Sequence, residues 1–269
     1  MIRVDIVLNE ETGASLIGYI KETNREMPDY AKRPAVMVIP GGGYEYVSDR
    51  ENEPVVSSFL QKGYHVFLLR YSTGEYARNC QPFKEAAKAM NIIRTRAEEW
   101  NIFADKVAVC GFSAGGHLTG CLGILSEQKE FCDIAGFTTE EIKPNALILS
   151  YPVITSGEFA HRSSFEMLTG CKEDCEETQK FSLEKHVTDK MPPTFLWHML
   201  DDMFVPVENS LLLMKELHKN KVTFESHFFQ NGGHGASVCT KEVGSDNPHN
   251  AHWMQLATEW LATTFGWEC

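Results

Sequence analysis

A serine lies between two glycines in the segment Gly111-Phe112-Ser113-Ala114-Gly115. An apolar run at 106–110 leads into this segment, and a helix-forming run at 117–122 follows it. On a sharp turn between a strand and a helix, flanking glycines leave room for the backbone and the serine hydroxyl stands at the tip. The dipole of the following helix favours a developing negative charge there. Because the five-residue pattern also occurs in ordinary turns, it is this context that predicts Ser113 as a nucleophile.

A serine hydroxyl is a weak nucleophile at neutral pH and needs a base beside it. His234 lies in a glycine-rich loop at 232–235 that could bring its imidazole over the turn, although a surface turn histidine would look the same. Asp202 follows the predicted strand at 194–198 and could orient His234 and stabilise the imidazolium. The adjacent Asp201 is an alternative by position alone. The chain order of serine, aspartate and histidine is the one used by α/β-hydrolases.

Three glycines, Gly41, Gly42 and Gly43, follow the first predicted central strand. Glycines let the backbone approach a substrate closely and point N–H groups at it. The N–H groups of Gly42 or Gly43, together with that of Ala114, are therefore predicted to bind the oxyanion of a tetrahedral intermediate. A phosphate-binding loop is disfavoured because the segment lacks the Gly-Lys-Ser/Thr ending of nucleotide sites.

The remaining histidines and cysteines predict neither a metal site nor an organic cofactor. No His-Glu-x-x-His motif is present. Cys171 and Cys175 have the spacing Cys-x3-Cys but lack a second ligand pair, which disfavours zinc. The eight cysteines are expected to be reduced thiols, with Cys110 and Cys121 buried. Packing, capping or orienting roles are the simpler account of His117, His198, His249 and His252.

Apolar runs bounded by turn residues alternate along the chain with segments of helical period. This alternation predicts a mostly parallel sheet of about eight strands covered by helices on both faces. Ligands of such sheets bind at the carboxyl ends of the strands, where each candidate group falls. Predicted strands cover 35–39, 65–71, 106–110, 146–151, 194–198 and 223–229, with an edge pair at 3–8 and 16–20, and predicted helices cover 54–61, 83–100, 208–218 and 251–265.

The chain is predicted to form one domain over residues 1–269, with no repeat and no linker. The pattern breaks at about 156–191, where the sequence is polar and acidic with weak helical stretches. This segment is interpreted as a lid-like insertion or, equally well, as a surface excursion.

The net charge of −12 argues against nucleic acid as a partner, because phosphate backbones are held by clustered Lys and Arg. An acidic surface also disfavours docking on anionic membranes. The first residues are too polar for the apolar core of a signal peptide, so a cytoplasmic location is expected. The expected partner is a small-molecule substrate, and a homodimer is compatible with the sequence.

Taken together, these motifs resemble the small acetyl-xylan esterase-like carbohydrate esterases, also called sugar hydrolases, of the α/β-hydrolase superfamily. The resemblance covers about 15–265 and implies the α/β-hydrolase fold. It rests on Pro40-Gly-Gly-Gly-Tyr44, Gly111-Phe-Ser-Ala-Gly-Gly-His-Leu118, Tyr151-Pro152, His198-x3-Asp202-x2-Val205-Pro206 and Gly232-Gly-His234-Gly.

The resemblance selects Asp202 over Asp201, because the family's acid lies three residues before the Val of Val-Pro. This sequence departs from the family pattern at Met199, where the family usually has glycine. It also has Pro40 where related lipases have histidine. The implied activity is a serine esterase that deacetylates small acetylated sugars or xylo-oligosaccharides. An amidase or peptidase with the same triad, and a silent binding protein, are the alternatives. Tyr44, Tyr151 and Phe204 are candidates for the substrate pocket, although packing is the commoner role of such aromatics.

Overall fold

The computed structural model describes residues 1–268, in which eight strands form one sheet. The strands are β1 (Ile2–Asn9), β2 (Ala14–Ile20), β3 (Arg33–Ile39), β4 (His65–Arg70), β5 (Ile102–Phe112), β6 (Ala146–Ser150), β7 (Thr194–Met199) and β8 (Phe224–Phe229). Their order across the sheet is β1-β2-β4-β3-β5-β6-β7-β8. The β1–β2 and β2–β4 pairs are antiparallel and the other pairs are parallel.

Helices cover both faces of the sheet, which explains why its central strands are apolar throughout. The helices are α1 (Glu53–Gln61), α2 (Gln81–Thr95), α3 (Ala114–Ile124), α4 (Lys129–Ala135), α5 (Thr139–Ile142), α6 (Arg162–Thr169), α7 (Glu176–Gln179), α8 (Glu208–Lys219) and α9 (His252–Phe265). Alternate residues of β3 show the division: Val36 and Val38 belong to the apolar cluster that includes α1 and α9, whereas Ala35 and Met37 belong to the cluster that includes α2, α3 and α8.

This topology confirms the predicted α/β-hydrolase fold, including the antiparallel edge pair. Helix α2 ends at Thr95 and not at 100, because the chain then turns back toward β5 through Asn101, whose φ is +54°. Strand β5 is longer than predicted at its N-terminal end. The short helices α4 and α5 were not predicted.

The segment predicted as an insertion packs firmly on the core through apolar side chains. Its Leu183 donates a backbone hydrogen bond to Ile154 and lies against Gly120 of α3, where an added Cβ would be 2.5 Å from Leu183 Cδ1. The rings of Phe165 and Phe181 contact His117 of α3. These contacts attach the segment to helix α3.

Helix α3 lies wholly inside the molecule, with every residue from Ala114 to Ile124 buried. Such burial requires close contact with the sheet, and at Gly123 an added Cβ would come within 2.4 Å of Leu147 Cδ1 on β6. Cys110 and Cys121 are buried free thiols, as predicted. Across residues 1–268, no helix combines the length and apolar character needed to cross a bilayer.

Two buried histidines should make the fold sensitive to acid. Burial lowers the pKa of both His65 and His117 from 6.5 to about 4. Both are therefore neutral when folded but take up a proton when unfolded at intermediate pH. The stability that they contribute is complete above pH 6.5 and is lost as the pH falls toward 4. We expect the free energy of unfolding to decrease by about 1.4 kcal/mol per pH unit for each histidine in this window.

Urea unfolding at a series of pH values measures this slope. His117 accepts a hydrogen bond from Tyr44 and donates one to the Phe181 carbonyl, both 2.8 Å long, and a glutamine can make both. His117→Gln should therefore reduce the slope, whereas His218→Gln at an exposed position should not. An unchanged slope in His117→Gln would contradict the assignment.

Candidate active site

The turn after β5 holds the backbone of Ser113 in a conformation that residues other than glycine rarely adopt, with φ +53° and ψ −119°. Neighbouring backbone leaves no space for side chains on either flank. A Cβ on Gly111 would lie 2.2 Å from the Gly115 carbonyl oxygen, and one on Gly115 would lie 2.2 Å from that of Ile39. The two glycines of the motif are thus required by close packing of the turn.

Backbone hydrogen bonds hold this strained residue in place. The Ser113 N–H donates to the Ser150 carbonyl on the adjacent strand β6. Its own carbonyl accepts hydrogen bonds from the N–H groups of His117 and Val153. Ser113 is only 6% exposed, so the turn that carries it is almost wholly enclosed.

His234 and Asp202 complete a continuous hydrogen-bonded chain with Ser113. The Nε2 atom of His234 lies 2.8 Å from Ser113 Oγ, and its Nδ1 lies 2.6 Å from Asp202 Oδ2. The other oxygen of Asp202 accepts from the N–H groups of Phe204 and Val205. In this arrangement Nδ1 carries a proton and Nε2 is free to accept one from the serine, which is the geometry of nucleophilic acyl transfer.

A second histidine, His198, forms a hydrogen bond with the carboxylate of Asp202. The Nε2 atom of His198 is 2.9 Å from the Val205 carbonyl and 3.2 Å from Asp202 Oδ2, and its Nδ1 is 2.7 Å from Ser210 Oγ. A carbonyl only accepts, so Nε2 carries the proton and donates. Burial alone would raise the pKa of Asp202, but the hydrogen bonds from His198 and His234 outweigh it and hold the pKa well below its usual range.

The adjacent carboxylate, Asp201, has a separate position and a separate set of partners. It is exposed and accepts hydrogen bonds from the N–H groups of Gly232 and Gly233, at 3.2 and 2.9 Å. Asp201 thus anchors the loop that carries His234, whereas Asp202 contacts the imidazole itself. The residues alone did not separate these two positions.

The glycine loop after β3 presents free amides beside the serine. Gly42 and Gly43 have φ values of +122° and +65°, and a Cβ on Gly42 would lie 2.1 Å from the Tyr46 carbonyl oxygen. Within residues 1–268, no protein acceptor takes a hydrogen bond from the amides of Gly42, Gly43 or Ala114. Unpaired amides at a helix N-terminus and a glycine loop are suited to stabilise an oxyanion.

The serine and histidine open into a cleft of about 350 Å³, a volume typical of small-molecule sites. Of the three aromatic residues predicted to line it, Phe204 does so. Tyr44 and Tyr151 do not, and this part of the prediction is wrong. Both rings are buried in the core. Their hydroxyl groups can be buried with them because each has an internal hydrogen-bond partner, His117 for Tyr44 and Glu51 for Tyr151. Besides Phe204, side chains that line the cleft include Glu45, Tyr46, Arg50, Glu51, His161 and Ser163.

Two cleft residues carried no recognisable signal in the sequence. His161 comes from the insertion, and burial lowers its pKa. Glu51 is only 3% exposed although it lies in a polar stretch before α1. Burial raises the pKa of Glu51, opposed by hydrogen bonds from Tyr151 and the Gly41 amide.

One group of side chains lies close enough together to be considered for a metal ion. Ligand atoms of Cys171, Cys175 and Glu177 lie within 4.8 Å of one another. Structural zinc sites use four protein ligands, and the described residues supply three here. None of them lines the cleft that contains Ser113.

The sequence is similar to those of several known proteins. Residues 25–217 match the sequence profile of the BD-FAE family. The chain is 37% identical over 225 residues to endo-1,4-beta-xylanase B of Butyrivibrio fibrisolvens, covering 81% of this chain and 34% of that protein. It is 29% identical over 221 residues to an acetylxylan esterase of Xylanibacter ruminicola, covering 80% of this chain and 43% of that protein. The chain thus spans less than half the length of both relatives.

A solved structure resembles the chain over its whole length. An acetyl ester-xyloside bifunctional hydrolase from Caldicellulosiruptor lactoaceticus superimposes with a TM-score of 0.83 at 32% identity. The match covers 99% of this chain and 97% of that one.

Strain at Ser113 predicts an unusual order of stability for two variants that remove the same hydroxyl. Glycine normally destabilises a folded position relative to alanine, but it adopts positive φ freely. We therefore expect Ser113→Gly to be more stable than Ser113→Ala by about 1 kcal/mol or more in urea unfolding. If Ser113→Ala were the more stable variant, the turn would not be strained as described.

Proposed function

The chain belongs to the BD-FAE family, and from that membership and the geometry around Ser113 we propose that it is a serine carboxylic-ester hydrolase. Its proposed substrates are small acetylated sugars or xylo-oligosaccharides. The observation that carries the proposal is the unbroken chain of hydrogen bonds from Ser113 through His234 to Asp202. A serine with this pairing and with free amides beside it is equipped for acyl transfer.

In the proposed reaction, Ser113 Oγ attacks the ester carbonyl carbon while His234 Nε2 takes the hydroxyl proton. Asp202 stabilises the imidazolium that forms. The amides of Gly42, Gly43 and Ala114 bind the oxyanion, and the loss of one such donor typically costs about 3 kcal/mol of transition-state stabilisation. The tetrahedral intermediate then breaks its bond to the alcohol oxygen, which receives the proton from His234. Water, deprotonated by His234, attacks the acyl-enzyme and releases the acid and free Ser113.

The cleft supports a hydroxylated alcohol more than a long apolar one. Its side chains are largely polar, with Glu45, Arg50 and Ser163 available for hydrogen bonds to sugar hydroxyls. Phe204 and Tyr46 are 69% and 58% exposed and offer flat apolar surface at the rim. One related protein is named as an acetylxylan esterase and another as an acetyl ester-xyloside bifunctional hydrolase, and the ester part of both names agrees with this chemistry.

Another related protein is named as a xylanase, but the match covers only 34% of it. Glycoside hydrolysis usually relies on two carboxyl groups flanking the scissile bond. In this cleft Glu51 is buried and both its oxygens already accept hydrogen bonds, which leaves it poorly placed for that role. Ester hydrolysis by Ser113 is therefore the proposal that we favour for this chain.

Labelling by a fluorophosphonate tests the proposed nucleophile. We expect stoichiometric labelling of the wild-type protein and none of Ser113→Ala, because only an activated serine reacts readily. A wild-type protein that is not labelled would indicate a catalytically silent binding protein. Turnover of aminoacyl amides without turnover of acetyl esters would instead indicate an amidase or peptidase.

The neighbouring aspartates form a matched pair for testing the assigned acid. Asp202→Asn should lower kcat by about 10⁴-fold, because the amide favours the wrong tautomer of His234. Asp201→Asn should lower it far less, since it only loosens the loop at Gly232 and Gly233. Steady-state hydrolysis of a chromogenic acetyl ester measures both, and equal losses would contradict the distinction.

A further inference from the structure

We infer that Glu51 is a positioning residue that ties the oxyanion loop to the loop carrying His234. The oxyanion loop is defined as residues 40–44 and the histidine loop as residues 232–239. This role rests on the proposed function for its catalytic consequence, but its structural content can be tested without turnover.

Glu51 reaches both loops through two short hydrogen bonds. Its Oε2 accepts from the Gly41 N–H at 2.7 Å, and its Oε1 accepts from the Tyr151 hydroxyl at 2.7 Å. The Tyr151 oxygen in turn accepts from the Ser237 N–H at 2.8 Å, in the histidine loop. One buried carboxyl group thus connects two loops that are separated by about 190 residues of sequence.

Glu51 accepts a hydrogen bond at each end of its carboxyl group. The Tyr151 hydroxyl donates to Oε1, while the Tyr151 oxygen accepts from the Ser237 N–H. The Gly41 N–H donates to Oε2. A side chain that offers a donor in place of one of these acceptors would therefore lose a hydrogen bond.

A neighbouring link reinforces the same connection. The Ser237 hydroxyl donates to the Arg50 carbonyl at 2.6 Å, next to Glu51 in the chain. The Arg50 guanidinium lies beside Gly235, where an added Cβ would be 3.1 Å from its Nη2 atom. The segment at 50–51 is therefore hydrogen-bonded to the histidine loop both directly and through Tyr151.

The position of Gly41 explains why this connection affects the reaction. A Cβ on Gly41 would lie 2.9 Å from Ser113 Cβ and 2.8 Å from the Phe112 carbonyl oxygen, so its backbone rests directly on the nucleophile turn. Gly41 immediately precedes the amides proposed to bind the oxyanion. A small displacement of such donors is felt mainly in the transition state, where the oxyanion exists.

Glu51→Gln tests the inference because glutamine keeps the shape but cannot accept at both ends. If its oxygen faces Gly41, its amide group meets Tyr151, whose oxygen already accepts from Ser237. We expect kcat per active site to fall by about 10- to 100-fold, with KM within about threefold of the wild-type value. Active sites are counted with a fluorophosphonate, so that a merely less stable protein does not imitate the effect. The matched control is Glu53→Gln, two residues away and exposed, which should leave kcat unchanged.

Hydrogen–deuterium exchange supplies the readout that is independent of turnover. In Glu51→Gln, peptides from both loops should exchange faster. In Tyr151→Phe, the histidine loop should exchange faster than in the wild type and the oxyanion loop should change less, because the hydrogen bond from the Gly41 N–H to Glu51 remains. Unchanged exchange in both loops of Glu51→Gln, or a wild-type kcat per active site, would overturn the inference.

If the wild-type protein proves inert toward esters, the proposed function fails, and the exchange data still decide whether Glu51 connects the two loops. Should Glu51→Gln fail to fold, Tyr151→Phe decides instead, and unchanged exchange of its histidine loop would overturn the inference.

Discussion

The site depends on one strained residue, Ser113, whose backbone stands at φ +53° at the end of a central strand. Strain of this kind costs about 1–3 kcal/mol and persists only when the surroundings leave no alternative. Here the turn is enclosed by Gly111 and Gly115, whose missing side chains admit neighbouring backbone, and by hydrogen bonds to β6 and to Val153. The buried helix α3 and the central strands β5 and β6 adjoin the turn and supply these contacts. The hydroxyl therefore stands in a fixed position above the helix N-terminus.

The other groups meet Ser113 because parallel strands bring their carboxyl ends to one edge of the sheet. The glycine loop follows β3, Asp202 follows β7 and His234 follows β8. Loops alone would not hold the distances observed, so each is fastened by polar contacts. His198 holds Asp202, Asp201 holds the loop of His234, and Glu51 holds the glycine loop. Reactive geometry thus comes from the sheet, and its precision comes from these contacts.

Local patterns in the sequence were sufficient for the strands and the edge pair, and they singled out Ser113 and His234 as candidates, because strand periodicity and the turn at Ser113 are local properties. Contacts between distant segments were not predictable in this way. Tyr44 and Tyr151 look like pocket aromatics in the sequence, and only the tertiary structure supplies the buried partners of their hydroxyls. Glu51 resembles an ordinary surface acid, and its burial depends on Tyr151, 100 residues later. The two aspartates likewise differ only through the loop that reaches them.

Covalent participation of Ser113 can be observed by trapping the acyl-enzyme. The protein would be mixed with an excess of a chromogenic acetyl ester, quenched in acid within milliseconds, digested and analysed by mass spectrometry. We expect the mass of one acetyl group on the peptide that contains Ser113, formed at the rate of the burst of released alcohol. Rapid turnover with no acetylated Ser113 at any quench time, or an acetyl group on another residue, would contradict it.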